Sequence, residues 1–431
     1  MKKISAIVLG AGARGARAYA PYALKYPHEL EIAAVAEPSD ERRTAFAHEY
    51  SLPQHRVYSN WQEVLEQERF ADAIIVSTQD RMHFEPTMRA LEKGYHVLLE
   101  KPMSPSPEEC IRMAEASKRN DRLLTVCHVL RYSPFWSAIK AMIEDGKIGD
   151  VVSVQLNENV GYFHMAHSFV RGNWRNARES SPMILAKSCH DMDILLWLVG
   201  QDCTRVSSYG SLFHFHEGNA PEGSTDRCTD GCLVEHECPY SAPRFYLNAG
   251  DRWKQYITED LSGEGVIRAL KEGPYGRCVY RTDNDVVDHQ VVNLEFANGS
   301  TATFSMCGFT HDSTRGVQIM GTHGEIRGYM ETGEITLHDF VSGDRVTRIC
   351  SDFGDRHGGG DEGIMRRFLR DIRTYSGQIS LTSADVSLQS HLMAFAAEQS
   401  RKAAGQSIEL ESFKQSFISG AKGAGFENGS L

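Results

Sequence analysis

The chain has 431 residues with Lys+Arg 46 against Asp+Glu 57, a net charge of -11, and no block of basic residues, which excludes the footprint of a nucleic-acid binder. Ten cysteines scattered over that length do not make a disulfide scaffold and point to a reducing compartment. No run approaches the ~18 apolar residues of a membrane span, so the expectation is a cytoplasmic protein of two domains acting on a small molecule, with neither nucleic acid nor membrane as partner.

Lys2, Lys3, the apolar run 4–9 and the following ARAYA imitate a signal peptide, but the apolar core is short and serves better as a strand entering a glycine loop. Gly10, Gly12, Ala13, Arg14 and Gly15 belong to a G-x-G-x-x-G that follows this strand without a gap, and 16–24 continues as a helix. In that setting the loop's backbone N–H groups and the helix's positive end face a pyrophosphate. A second strand, 31–36, ends in Glu37, 22 residues past Gly15. A carboxylate there accepts from ribose hydroxyls and repels a 2′-phosphate, which favours NAD; Arg42 and Arg43 lie close enough to keep NADP open.

Helices at 40–50 and 61–67 lead to a buried strand at 71–77, with Ser77, Thr78 and His83 in the loop at its carboxyl end. A helix over 85–93 is stopped by Gly94, and the strand from His96 runs into Glu100, Lys101 and Pro102. Strand ends at this edge of a doubly wound sheet are where ligands lie, so all five polar residues are cofactor-site candidates. Lys101 is also the first catalytic candidate, since a lysine there donates to a substrate oxygen and shifts its pKa when desolvated. Read by itself, EKP is better explained by a solvated lysine, since three-residue matches arise by chance. Helix 107–119 and strand 123–128 complete a β-α-β alternation over residues 1–128, which specifies a mostly parallel sheet covered on both faces.

Beyond residue 149 the pattern changes to alternating strands at 151–157, 286–296, 300–307, 316–320, 325–329 and 334–337, a largely antiparallel sheet spanning a domain from 129 to 415. Helices are expected at 183–199, 361–375 and 384–404, and 416–431, rich in Gly and Ser, reads as a loose tail. The segment 157–178 is dense in His, Asn, Arg and aromatics, and His167 and Trp174 within it suit a hydroxylated ligand, a wet surface loop being the alternative. His190, beside Trp197 and the leucines of its helix, reads by itself as a satisfied core histidine; Asp193 stands three residues on, on the same face, where a carboxylate orients an imidazole or anchors the helix. His357 precedes three glycines and Asp361, the expected N-cap of the next helix. In an insert at about 201–250, Cys228, Cys232 and Cys238 fall within eleven residues. That density suits a structural zinc; lacking C-x-x-C pairs, it equally suits buried small residues or a redox-labile trio.

GAGARG, STQDRMHFEP, ALEKGYHVLLEKPMS and CHDMDILLWLVG, and less closely MGTHGEIRG and HLMAFAAEQSRKAAGQ, resemble the Gfo/Idh/MocA oxidoreductases. The resemblance implies an α/β protein, an N-terminal Rossmann doubly wound parallel sheet plus a C-terminal α+β domain whose largely antiparallel open sheet pairs subunits into a homodimer or homotetramer. It implies NAD(P)-dependent hydride transfer to or from a secondary alcohol of a sugar, cyclitol or derivative. Lys101 then contacts the nicotinamide ribose and the substrate, His190 exchanges the proton, and Arg131 and Tyr132 face the cleft. One departure stands out: many members carry Asp four residues before the histidine, where this chain has Ala186, with Lys187 next to it. Lys187 lowers the histidine pKa, or binds an acidic or hydroxyl-rich substrate, or reaches to solvent. Two other activities fit the resemblance, an NAD-dependent glycosidase that oxidises, eliminates and re-reduces, and a non-catalytic cofactor-binding regulator, against which the pairing of Lys101 with His190 speaks.

Overall fold

A computed structural model describes residues 2–350, 357–378 and 380–418. Strands β1 (Ile4–Leu9), β2 (Leu30–Ala36), β3 (Val57–Tyr58), β4 (Ala73–Val76), β5 (His96–Leu99) and β6 (Leu124–Val126) form a wholly parallel sheet in the order β3-β2-β1-β4-β5-β6. Every residue of β4 and β5 is buried, as strands covered on both faces require. The order reverses between β1 and β4, so their carboxyl ends flank the crevice in which ligands of such sheets lie. Gly10 leaves β1 at φ +91°, where a Cβ would stand 2.6 Å from the Ser77 carbonyl oxygen; only glycine lets the two loops come this close. The expected helix over 16–24 is divided into a π-helical turn, Gly15–Tyr19, and a short α-helix, Pro21–Lys25, because Pro21 has no N–H with which to continue the ladder.

The second sheet has nine strands, β7 (Val151–Val160), β8 (Cys203–Ser211), β9 (His289–Phe296), β10 (Thr301–Cys307), β11 (Ser313–Gly321), β12 (Gly324–Tyr329), β13 (Glu334–Asp339), β14 (Arg345–Ile349) and β15 (Ile408–Glu409). Their order is β14-β13-β12-β11-β7-β10-β9-β8-β15, antiparallel except between β7 and β10. Alternation buries one face, Val292, Leu294 and Phe296 on β9 beside Ala302, Phe304 and Met306 on β10. β8, β14 and β15 were not expected: β8 is rich in Ser and Gly, β14 buries no residue, and β15 is two residues long. β8 takes up 203–211, and the insert expected at about 201–250 falls mostly in the long connection 212–288 between β8 and β9.

Two helical departures shape the cleft. The helix expected over 183–199 breaks at Lys187 and Ser188 into Met183–Ala186 and Cys189–Val199. The helix Gly360–Arg373 is capped by Gly359 at φ +89°, with Asp361 in its first turn instead of at the cap. It crosses back to the first domain, where Ile364, Met365, Phe368 and Leu369 join the core of Ile4, Ala6, Tyr19 and Leu98. The parallel-sheet unit is therefore completed by chain from the far end of the sequence. Helix Leu410–Ile418 takes in 416–418, and the remainder of the expected tail lies outside the described residues. Among the described residues no helix is long and apolar enough to cross a membrane.

Phe368 is 1% exposed in this shared core, so Phe368→Ala should cost about 3–5 kcal/mol of stability in urea titration. A loss below about 1 kcal/mol would show that the returning helix is not part of the first domain's core.

Candidate functional site

On the nucleotide side, the Gly15 backbone packs so tightly that a Cβ would fall 2.0 Å from the Gly10 carbonyl oxygen, while a Cβ on Gly12 would meet nothing within 4 Å. The loop is closed behind and open in front, which fits a dinucleotide pyrophosphate. Glu37, at the end of β2, is buried; its Oε2 accepts from Ala11 N at 2.8 Å, and its Oε1 from Ser39 N at 3.0 Å and Arg42 Nη2 at 2.6 Å. Arg43 is held by the Glu37 carbonyl at 2.7 Å and by the Asp40 carboxylate. Ser77 Oγ donates to the Gly10 carbonyl at 2.8 Å, Thr78 Oγ1 donates to the Met82 carbonyl, and the His83 ring bridges the carbonyls of Pro102 and Thr78. These three fasten the β1, β4 and β5 loops to one another.

Arg14 turns its side chain inward. Its guanidinium meets Glu100 Oε1 at 2.5 Å, the Tyr19 hydroxyl at 2.6 Å and Asp361 Oδ1 at 2.7 Å. Burial opposes charge on Glu100, but Arg14 and Lys101 hold the carboxyl below its ordinary value. Glu100 and the side chain of Arg14 are thus engaged inside the protein, and only the Arg14 backbone belongs to the loop's rim.

Lys101 follows directly, and the break in the second-domain helix serves it. Nζ donates to the Ala186 carbonyl at 2.6 Å, a group that an unbroken helix would bind within its own ladder. Ala186, which has no polar side-chain group to offer, thus holds the lysine through its backbone oxygen. His190 lies beyond the break, buried and without a partner for Nδ1 among the described residues. Burial, then the charge of Lys101 and the neighbouring His357 and His128, hold its pKa well below the ordinary value. The rings of His128 and His357 lie 5.9 and 5.5 Å from His190, and His357 Nδ1 pairs with Asp361 Oδ1 at 3.1 Å. His357 therefore joins the site through the carboxylate that Arg14 also grips.

The sequence reading missed Glu158, Asp191 and Arg315, which form a buried cluster with Lys187. Arg315 Nε reaches Asp191 Oδ1 at 2.6 Å and its Nη2 pairs with Glu158, while Lys187 Nζ sits 2.9 Å from Glu158 Oε1. Lys187 is accordingly an internal counter-ion, and burial lowers its pKa against the pull of Glu158. Burial and Glu158 push Asp191 up to about 7 against Arg315. Glu158 stays below its ordinary value against burial, held by Arg315 and Lys187. A signal was available: on β7, Val154, Leu156, Glu158 and Val160 face inward together, and a carboxylate on an apolar face needs a buried partner.

Other expected contacts are spent elsewhere. Arg131 clamps Asp193 through Nε at 2.7 Å and Nη2 at 2.6 Å, both side chains buried, so Asp193 anchors the helix and does not orient His190. The Tyr132 and Thr382 hydroxyls share a hydrogen bond of 2.8 Å. Trp174 Nε1 reaches Asp80 at 3.4 Å. His167 bonds Tyr246 at 2.5 Å and packs among Trp253, Tyr256 and Tyr275, in the insert. Cys228, Cys232 and Cys238 line a small closed cavity together with Cys278. Among the described residues no group of three or more His, Cys, Asp or Glu is arranged to hold a metal ion, which leaves the zinc expectation without support. Burial raises the Cys238 and Cys278 thiols, and Arg171 Nη2 lies 3.7 Å from Cys228 Sγ, so the cluster is packing around a buried cation.

Residues 4–128 match the model of the Gfo/Idh/MocA oxidoreductase family's NAD-binding Rossmann fold, and residues 140–347 that of its C-terminal alpha/beta domain. YteT of Bacillus subtilis is 30% identical over 259 residues, 59% of each chain. Inositol 2-dehydrogenase 2 of Saccharopolyspora erythraea is 28% identical over 218 residues, 49% of this chain and 60% of that one. The match thus spans about six-tenths of the length of these relatives. Levoglucosan dehydrogenase, in complex with NADH and levoglucosan, superposes with a TM-score of 0.70 at 18% identity, covering 95% of this chain and 100% of that one; the likeness is one of fold.

The buried cluster has a pH signature. Asp191 keeps its proton in the folded chain up to about pH 7, whereas an unfolded aspartate releases it near ~3.9. The folded state therefore holds the extra proton between these values, and stability falls as pH rises through that window. Asp191→Asn mimics the protonated carboxyl and should retain about 1–3 kcal/mol more than the parent on going from pH 5 to pH 8. Parallel losses in the two proteins, measured by urea titration, would place the proton elsewhere.

Proposed function

The chain belongs to the Gfo/Idh/MocA oxidoreductase family, and from that premise we propose that it transfers a hydride between NAD and a secondary alcohol of a sugar, cyclitol or derivative. The observation that carries this reading is Lys101 Nζ fixed on the Ala186 carbonyl while its charge bears on a buried, neutral His190. Bound NAD would supply the hydride acceptor. His190 takes the hydroxyl proton, since an imidazole whose pKa is held down is in its base form across the working range. Lys101 has three donors, one of them spent on Ala186, and the others stabilise charge growing on the substrate oxygen. Arg131 with Asp193 and the cluster around Arg315 keep the helix carrying His190 in place.

NAD is the preferred cofactor in this reading because Arg42 and Arg43 are already committed to Glu37 and Asp40, so a 2′-phosphate would have to displace them. The reading also has the chain work in the cytoplasm, as a homodimer or homotetramer formed through the open face of the nine-stranded sheet. All ten cysteines are free thiols, which supports a reducing compartment.

Lys101→Ala should lower kcat by about a hundredfold or more while NADH binding, followed by fluorescence, persists. Activity within about threefold of the parent would remove Lys101 from the mechanism. Sugar- or inositol-dependent appearance of NADH in stoichiometric amount is expected. Turnover of a glycoside with no net NADH would instead mark the oxidation–elimination route. The acid limb of kcat/KM should lie below the ordinary histidine value of 6.5, because only protonation of His190 removes the base; a limb above that value would assign the base to another group. In competition NAD should bind more tightly than NADP, and the reverse order would overturn the role given to Glu37.

A further inference from the structure

His190 needs an exit for the proton it takes. Oxidation of a secondary alcohol leaves one proton for every hydride given up, and an imidazole that keeps that proton is no longer a base. His190 is 4% exposed, so its return to the neutral form calls for a neighbour that passes the proton on. Two other rings lie beside it, His128 with its centroid at 5.9 Å and His357 at 5.5 Å.

His128 leads further into the protein. It is fully buried, and beyond it lies the ring of His391, also fully buried, at 5.4 Å. Asp193 Oδ1, 3.9 Å from His128 Nε2, is clamped by Arg131. Burial, then Arg131 and Lys101, hold the His128 pKa well below the ordinary value against Glu100. A proton placed there has no path to water.

His357 differs on each count. Its side chain is 20% exposed, and its Nδ1 lies 3.1 Å from Asp361 Oδ1. Burial opposes charge on that carboxyl, but His357 and Arg14 hold its pKa far below the ordinary value, and a fixed anion at Nδ1 steadies the imidazolium formed when a proton arrives at Nε2. Burial lowers the His357 pKa and Asp361 opposes it, while Arg14 and Arg315 add to the lowering. The fall is less than at His190, so a proton passing between the two rings runs from the weaker base to the stronger. The turn that carries His357 is also firmly seated, since a Cβ on Gly360 would fall 2.3 Å from the Val129 carbonyl oxygen.

We propose that His357 is the proton relay of this site, receiving the proton of His190 across a gap that one bridging water spans and releasing it to solvent, with Asp361 ionised throughout. One proton enters the relay and one leaves it, so both rings are neutral again at the end of a turnover. The inference rests on the dehydrogenase reading above and adds the residue that resets its base.

The test uses the full chain with NAD and glucose, galactose or myo-inositol, and compares the parent with His357→Ala and His357→Gln. Glutamine keeps a hydrogen-bond donor for Asp361 but carries no proton. Both variants should lose about tenfold or more in kcat while kcat/KM stays within about threefold, because the relay acts once the hydride has left. Added imidazole should bring His357→Ala back to within about threefold of the parent, since a free base entering this partly exposed position replaces the lost ring, and a merely structural lesion has no such rescue. A kcat within about twofold of the parent in either variant, or a loss that imidazole leaves unchanged, overturns the relay. When none of these polyols reduces NAD, the dehydrogenase reading fails on these substrates, and the relay is judged without turnover, from exchange of the His190 ring proton with water in NMR spectra of histidine-labelled protein. Exchange slowed about tenfold in His357→Gln upholds it, and exchange as fast as in the parent discards it.

Discussion

One hydrogen bond sets the register of the cleft, the 2.6 Å contact from Lys101 Nζ to the Ala186 carbonyl. It joins the end of β5 in the first domain to the broken helix of the second, and both of its groups are costly to leave alone. An unpaired ammonium away from bulk water and an orphaned helix carbonyl each carry a desolvation penalty of about 1–3 kcal/mol or more. Satisfying each with the other holds the lysine in place without neutralising it. A carboxylate would have paired the charge, whereas a carbonyl leaves it to act on His190 and on whatever oxygen is brought near.

The remaining charges are arranged so that this contact is rigid. Arg14 ties Glu100 to Asp361, and Asp361 in turn holds His357 against His190. Arg315 and Lys187 hold Glu158 and Asp191 on the other side of the helix. Buried ion groups of this kind are weak sources of net stability, since desolvation offsets most of their attraction. Their effect is on geometry, because each pair ties side chains from different elements to one another.

Local patterns were legible wherever a single segment decided them. The glycine loop, the 107–119 helix and the alternating strands β9 and β10 each carry their own signal, and the structure has them at nearly the expected bounds. Lys101 and His190 could be singled out through the resemblance to a family, since each by itself reads more readily as a solvated lysine and a core histidine. What could not be read was pairing across distance. Arg131 and Asp193 are 62 residues apart and Arg315 and Asp191 124 apart, so nothing in either neighbourhood says that these charges are spent on each other. The cysteine trio misled for the same reason, since its fourth neighbour, Cys278, and the cation beside it, Arg171, come from other parts of the chain. β8 and β14 were missed because a Ser-rich strand and a wholly exposed one lack the period-two contrast on which such readings depend.

The helix Gly360–Arg373 contributes both Asp361 to the Arg14 network and four apolar side chains to the first domain's core. During synthesis its partners around Ile4, Tyr19 and Leu98 emerge more than 250 residues before it does. At ~5–20 residues per second, the nascent nucleotide-binding half spends tens of seconds with an apolar patch uncovered. That half is therefore a natural client for chaperones on the ribosome. The Arg14 side chain can meet Asp361 only after residue 361 has been made, so the network beside the glycine loop is completed late.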